Sequence, residues 1–126
     1  MPPNPKSVVT SITLPLAPSA NRYWRHVNTK TGARVLVSAE AKAYKDHVGW
    51  LLKAAGVELT MRPVSLRLDV YRKRKAGDLD NYVKILADAM TGIAYADDSQ
   101  IVEIVARRFD DPTDPRVEVV IEEVRA

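Results

Sequence analysis

The sequence predicts an α+β domain in which two main helices pack on one mixed or largely antiparallel sheet. Two observations carry the prediction. Segments near Ala39 to Ala55 and Asp78 to Gly92 repeat apolar residues at helical spacing, while four others are rich in Val, Ile and Thr and alternate or cluster as strands do. The elements then follow in the order strand, loop, helix, strand, helix, strand, strand. With 126 residues, 46% of them apolar and 28% charged, the chain has the composition of one globular domain spanning 1–126 with a thin core.

Ser7 to Leu14 reads as the first strand, closed by Pro15 and Pro18, and residues 1–6 before it as a mobile tail. Ala17 to Arg34 is irregular, polar and basic, with Thr31-Gly32 as a turn tip, which gives a long surface loop or a loop holding a small hairpin. Ser38 is placed to cap a helix over Ala39 to Ala55, whose stripe is Tyr44, Val48, Leu51, Leu52 and Ala55, and Gly56 stops it. Val64 to Tyr71 alternates, with Leu66, Leu68 and Val70 on one face and Arg67, Asp69 and Tyr71 on the other. A second helix starts near Asp78 to Asp80 and ends near Gly92, with Leu79, Tyr82, Val83, Leu86 and Met90 on one side and Asp80, Lys84 and Asp88 opposite. Ile101 to Phe109 and Arg116 to Val124 are the last strands, separated by a turn rich in Asp and Pro.

The chain has no cysteine, which excludes disulfides, thiolate nucleophiles and metal centres built on sulfur, and suits a reducing setting. No apolar run reaches the roughly 18 residues that span a bilayer, and Met1 to Pro5 lacks the core of a signal peptide. A soluble cytoplasmic protein is expected, with no membrane association. The net charge is only +3, but Arg72, Lys73, Arg74 and Lys75 are consecutive and Arg107-Arg108 adjacent. Such runs serve either a polyanionic partner or a solvated face.

Gly77-Asp78-Leu79-Asp80-Asn81 crowds two carboxylates at a helix start, where free N–H groups and the helix dipole favour negative charge. Capping explains the pair as well as a metal does. Residues two apart in a helix diverge by about 200°, so the two acids share an ion only if Asp78 lies outside the helix proper. Asp97 and Asp98 follow the second helix across a turn. They are either caps, or ligands brought back to its first turn. Hard oxygen ligands without Cys or a His cluster select Mg²⁺, with Mn²⁺ as the alternative, for water activation and charge neutralisation at a phosphate. Lys84, one turn beyond Asp80, either reaches that phosphate or pairs with Asp80 or Asp88.

The basic tetrad immediately precedes these acids, so that Arg72, Lys73, Arg74 and Lys75 are placed to grip a DNA backbone. Asn21, Arg22, Tyr23, Trp24, Arg25 and His26 form an aromatic and basic loop suited to phosphate contacts and to stacking on unpaired bases. Its alternative is a loop anchored to the core by Tyr23 and Trp24. His26 and His47 have no metal-pair spacing, and no P-loop, serine elbow or dinucleotide fingerprint is present.

Three blocks then resemble the RusA-type Holliday junction resolvases. They are Pro18 to His26, Val37-Ser38-Ala39-Glu40 with Ala43-Tyr44, and Asp78-Leu79-Asp80-Asn81 with Lys84, Asp88-Ala89 and Asp97-Asp98. The resemblance implies a homodimeric, Mg²⁺-dependent endodeoxyribonuclease that binds four-way DNA junctions and makes paired symmetric nicks leaving 5′-phosphate and 3′-hydroxyl ends. By it, Asp78, Asp80 and Asp98 are the catalytic, metal-binding carboxylates, Lys84 the cation beside the scissile phosphate, and Asp97 a neighbour. One departure bears on backbone contact: the family pattern has an arginine directly before the first Asp, where this chain has Ala76-Gly77. The rivals are a non-catalytic nucleic-acid-binding module and a nuclease for another branched DNA. Paired nicking calls for a two-fold dimer, and Trp50 or Ile85 is the expected contact.

Overall fold

The computed structural model describes residues 9–18, 24–30, 32–73 and 79–124, with the backbone alone at 24–29 and 33–37. Its elements are β1 (Val9–Leu14), β2 (Trp24–Thr29), β3 (Gly32–Val37), α1 (Ala39–Ala54), β4 (Val64–Arg72), α2 (Leu79–Met90), β5 (Ile101–Asp110) and β6 (Arg116–Glu123), with a 3₁₀ turn at Asp98–Gln100. The expected mobile tail, 1–6, lies outside the described residues.

Four strands form one mixed sheet in the order β1-β6-β4-β5. β6 is antiparallel to both β1 and β4, while β4 and β5 are parallel. The chain therefore leaves β4, returns through α2 and enters β5 in the same direction, as a βαβ unit must. After β5 it crosses the end of β4 to insert β6 on the other side. The turn rich in Asp and Pro makes this crossing, held by Asp111 N–H donating to the Arg72 carbonyl at 2.9 Å.

One sheet face is apolar because β4 and β6 alternate strictly: Val64, Leu66, Leu68, Val70 and Val117 are fully buried, and Val119 and Ile121 nearly so. Both helices share that core. Ser38 Oγ accepts from the Ala41 N–H at 3.1 Å, and Gly56 follows α1 at φ +82°, a conformation open to glycine. The buried stripe of α1 is Ala41, Tyr44, Val48, Gly49 and Leu52, so it lies slightly toward the N-terminus of the expected one, and Ala55 is exposed. Tyr44 Oη donates to the Pro15 carbonyl at 2.9 Å and ties α1 to the end of β1.

In α2 the buried residues are Tyr82, Ile85, Leu86, Ala89 and Met90. Ile85 is 1% exposed, which corrects its expected place in a dimer contact: the helix turns it into the core. Trp50, 68% exposed, remains on the surface.

The segment read as an irregular loop with a possible hairpin contains a regular one. β2 and β3 pair antiparallel from Trp24 opposite Val37 to Thr29 opposite Gly32 as a separate two-stranded sheet. Its sequence, WRHVNT, lacks clean alternation, so polarity hid the strand.

Candidate active site

The βαβ topology sets the two ends of α2 at opposite ends of the sheet. α2 begins with Leu79, after the chain leaves β4, and its last turn returns beside the residues that precede β4. Three contacts fix that return. The Thr60 N–H donates to the Ala94 carbonyl at 3.1 Å, and Gln100 Nε2 donates to the carbonyls of Thr60 at 2.9 Å and Arg62 at 2.8 Å.

Residues 91–100 are strongly organised. Gly92 adopts φ +88°, which lets its N–H donate to the Tyr95 carbonyl at 2.7 Å. Tyr95 is fully buried and its Oη donates to the Ala87 carbonyl at 2.6 Å, to which Thr91 Oγ1 also donates at 2.8 Å. Burial pushes the Tyr95 phenol well above its usual range, and the fields of the Asp98 and Asp88 carboxylates push it the same way.

Between α2 and the start of β5 opens a cleft of about 860 Å³. Val83, Lys84, Ala87 and Asp88 form its α2 wall, and Asp97, Asp98 and the first residues of β5 the other. Asp88 Oδ2 lies 3.3 Å from Lys45 Nζ on α1, a half-exposed pair that links the helices. Lys84 is exposed and forms no ion pair among the described residues, so the alternative of a surface pair with Asp80 or Asp88 is not realised. Asp97 is occupied locally: Ser99 Oγ donates to its Oδ2 at 2.7 Å, and its N–H donates to Gln100 Oε1 at 2.9 Å. The Ser99 hydroxyl, followed by the Asp98 carboxyl, holds the Asp97 carboxyl below its ordinary range.

The expected acids are only partly brought together. Asp80 is exposed in the first turn of α2. Asp98 shares the cleft with Lys84 and Asp88, and Asp88 lies eight residues further along α2 than Asp80, or about 12 Å along the helix axis. The turn before Asp97 and Asp98 packs beside the last turn of α2, through the Tyr95 hydroxyl donating to the Ala87 carbonyl. Among the described residues no three His, Cys, Asp or Glu side chains could hold one ion, and Asp78 lies outside them.

The basic residues divide as well. Arg72 is 4% exposed, its Nε and Nη2 donating to Asp110 Oδ1 at 3.1 and 2.9 Å. This corrects its expected place in a DNA grip: strand alternation turns Arg72 to the buried face, where it closes the β4–β5 end. Lys73 is exposed. Arg74 and Lys75, and Asn21, Arg22 and Tyr23, lie outside the described residues. The Arg25 backbone pairs with Leu36 in the β2–β3 hairpin, and His47 is exposed on α1. Arg107 Nε donates to Asp69 Oδ1 at 2.9 Å on the opposite sheet face.

The sequence reading gives Tyr95 no role, and it gives Asp88 a place on the helix face and in the third block but none in the site. The spacing of Asp88, four residues after Lys84, already puts both on one face, whereas only the fold brings Tyr95 beneath them.

A small α+β domain with a solvent-open cleft, an exposed lysine and carboxylates on two walls has the residue types that phosphate chemistry uses. Comparison with known proteins is more specific. The sequence pattern of the family described as Endodeoxyribonuclease RusA matches residues 14–122. The chain is 37% identical over 117 residues to the crossover junction endodeoxyribonuclease RusA of Escherichia coli (strain K12), covering 90% of this chain and 94% of that protein. Against the protein of the same name from Shigella sonnei (strain Ss046) the identity is 36% over 117 residues, with the same coverage. For that of Enterobacteria phage 82 it is 34% over 116 residues, covering 90% and 93%. The chain belongs to the RusA family of endodeoxyribonucleases.

Proposed function

We propose that this chain is a Mg²⁺-dependent, structure-selective endodeoxyribonuclease that resolves four-way DNA junctions by paired, symmetric nicks in the cytoplasm. The observation that carries the reading is the cleft in which Asp98 on one wall stands opposite Lys84 and Asp88 on the other, in a chain that matches junction endodeoxyribonucleases over nine-tenths of its length.

The donor chemistry fits the ion. Asp78, Asp80 and Asp98 offer hard carboxylate oxygens, and the chain has no sulfur ligand that would favour zinc. When bound, Mg²⁺ or Mn²⁺ supplies an activated water and neutralises phosphate charge. Lys84, free of any ion pair with the described acids, offsets the negative charge that develops on the phosphate oxygens. Lys73, Arg74, Lys75 and Arg25, with Asn21, Arg22 and Tyr23, contact the DNA backbone and unpaired bases.

A homodimer belongs to this reading, because two nicks related by symmetry need two active centres in two-fold relation.

The test is incubation with a synthetic four-way junction and with linear duplex of the same sequence, in Mg²⁺ and in EDTA. Nicking confined to the junction and to Mg²⁺ is the expected result. Binding without cutting in any divalent cation makes the chain a DNA-binding module instead, and equal cutting of duplex removes the structure selectivity.

A further inference from the structure

β5 forms an edge of the sheet, and its outer side has no partner strand among the described residues. It is ten residues long, contains no proline, and exposes apolar side chains on both faces. Val105 and Phe109 lie on the face away from the helices, in register with Arg67 and Tyr71, and Ile104 on the helix face with Leu66. Val105 is 45% exposed and Ile104 42%. Edge strands left to solvent are usually short, charged, interrupted by proline or bulged along their length. The one irregularity here is a register shift at the start of the strand, opposite Val64 and Ser65, after which Glu103–Asp110 run regularly beside β4.

We propose that β5 is the surface on which two copies of this chain pair, antiparallel, with Val105 on the two-fold axis. The occupant is argued from the strand's own sequence. In an antiparallel pair, residues directly opposite share a face. A two-fold axis at Val105 sets Glu103 opposite Arg107 of the second copy, twice, and Ile104 opposite Ala106, twice. Glu103 meets Arg107 on one face, and on the other Ile104 meets Ala106, with Arg108 opposite Val102 at the outer ends. Centring the axis on Ile104 puts Glu103 against Val105 and Arg107 against Ile101. Centring it on Ala106 puts Glu103 against Phe109 and Arg107 against Val105. Only the Val105 register pairs both charges.

The flanking structure agrees. Arg107 is already extended and oriented by Asp69, and Glu103 accepts from Ser65 Oγ at 2.8 Å, so neither side chain has to be ordered from scratch. The pairing also carries the start of each β5 toward the end of the other. The inference rests on the homodimer part of the proposed function and specifies its surface.

The chain has no native cysteine, so a single introduced thiol reports the axis directly. Directly opposed Cα atoms in an antiparallel pair lie about 4.5–5.5 Å apart, within disulfide reach. Val105→Cys is expected to give a cross-linked dimer on mild oxidation, and Trp50→Cys is not. In sedimentation equilibrium, Glu103→Arg is expected to weaken the wild-type dimer at least tenfold with an unchanged circular dichroism spectrum. Adding Arg107→Glu to it should restore association, since the charges then meet in the same register. A monomeric wild type, or a dimer in which Glu103→Arg associates as wild type and Val105→Cys stays uncross-linked, overturns the β5 pairing. Junction cleavage by the wild type, assayed in parallel, reports on the nuclease reading separately.

Discussion

The two ends of α2 carry acids of similar sequence context and very different structural support. At the C-terminal end, Asp88 is tied to Lys45, and Asp98 sits on a 3₁₀ turn pinned by Gln100 to Thr60 and Arg62, above the buried Tyr95. At the N-terminal end, Asp80 stands exposed in the first turn. The difference teaches that carboxylates with one proposed task are held by separate parts of the fold, so each can be perturbed without the other. It also separates residues that build the domain, such as Arg72, from those that reach solvent, such as Lys84.

The sharpest way to break this comparison is to remove charge at the exposed end. Asp80→Asn is expected to lower junction cleavage by about 10³-fold or more while leaving the unfolding midpoint unchanged, because Asp80 supports no core contact. A large stability loss would make it a structural cap instead. Asp110→Ala should do the opposite. It removes the Asp110 carboxylate from the buried Arg72 guanidinium and is expected to lower the unfolding free energy by about 2 kcal/mol in urea, as for the loss of a hydrogen-bonded charged partner.

Lys84→Ala is expected to reduce turnover by about 10- to 100-fold with junction affinity nearly kept, as for the loss of one charge-stabilising donor. Comparable binding loss would move Lys84 from the scissile phosphate to general backbone contact. The smallest expected effect belongs to the anchor. Tyr95→Phe loses the Ala87 hydrogen bond and should cost about 1 kcal/mol. Burial raises the Tyr44 and Tyr95 phenols above their ordinary value of 10.0 in the folded state. Their contribution is therefore complete below pH 10 and lost as pH rises above it, since the unfolded chain ionises first. The melting temperature should fall above pH 10, less steeply in Tyr95→Phe.

Much of the fold was legible because burial imposes a period. Leu66, Leu68 and Val70 read as one strand face, and the Ser38 cap and Gly56 stop bounded α1 to within a residue. The long-range pairing was not legible. Nothing local distinguishes a strand that pairs parallel, as β5 does, from one that forms a hairpin with its successor, because the choice is made by α2 and by the insertion of β6. For the same reason the site was legible in its residue types and not in its geometry. Spacing put Lys84 and Asp88 on one face of a helix, but the end of α2 that Asp98 meets depends on the βαβ direction. A run of four basic residues reads as one surface, whereas strand alternation turns its first member, Arg72, inward.

The most direct test of the central claim, that a metal-holding carboxylate lies at the cleft, is Asp98→Asn assayed on a four-way junction in Mg²⁺ beside the wild type, with binding followed by gel retardation in EDTA. The expected result is undiminished binding with no nicking on either strand. Full nicking by Asp98→Asn would contradict the account.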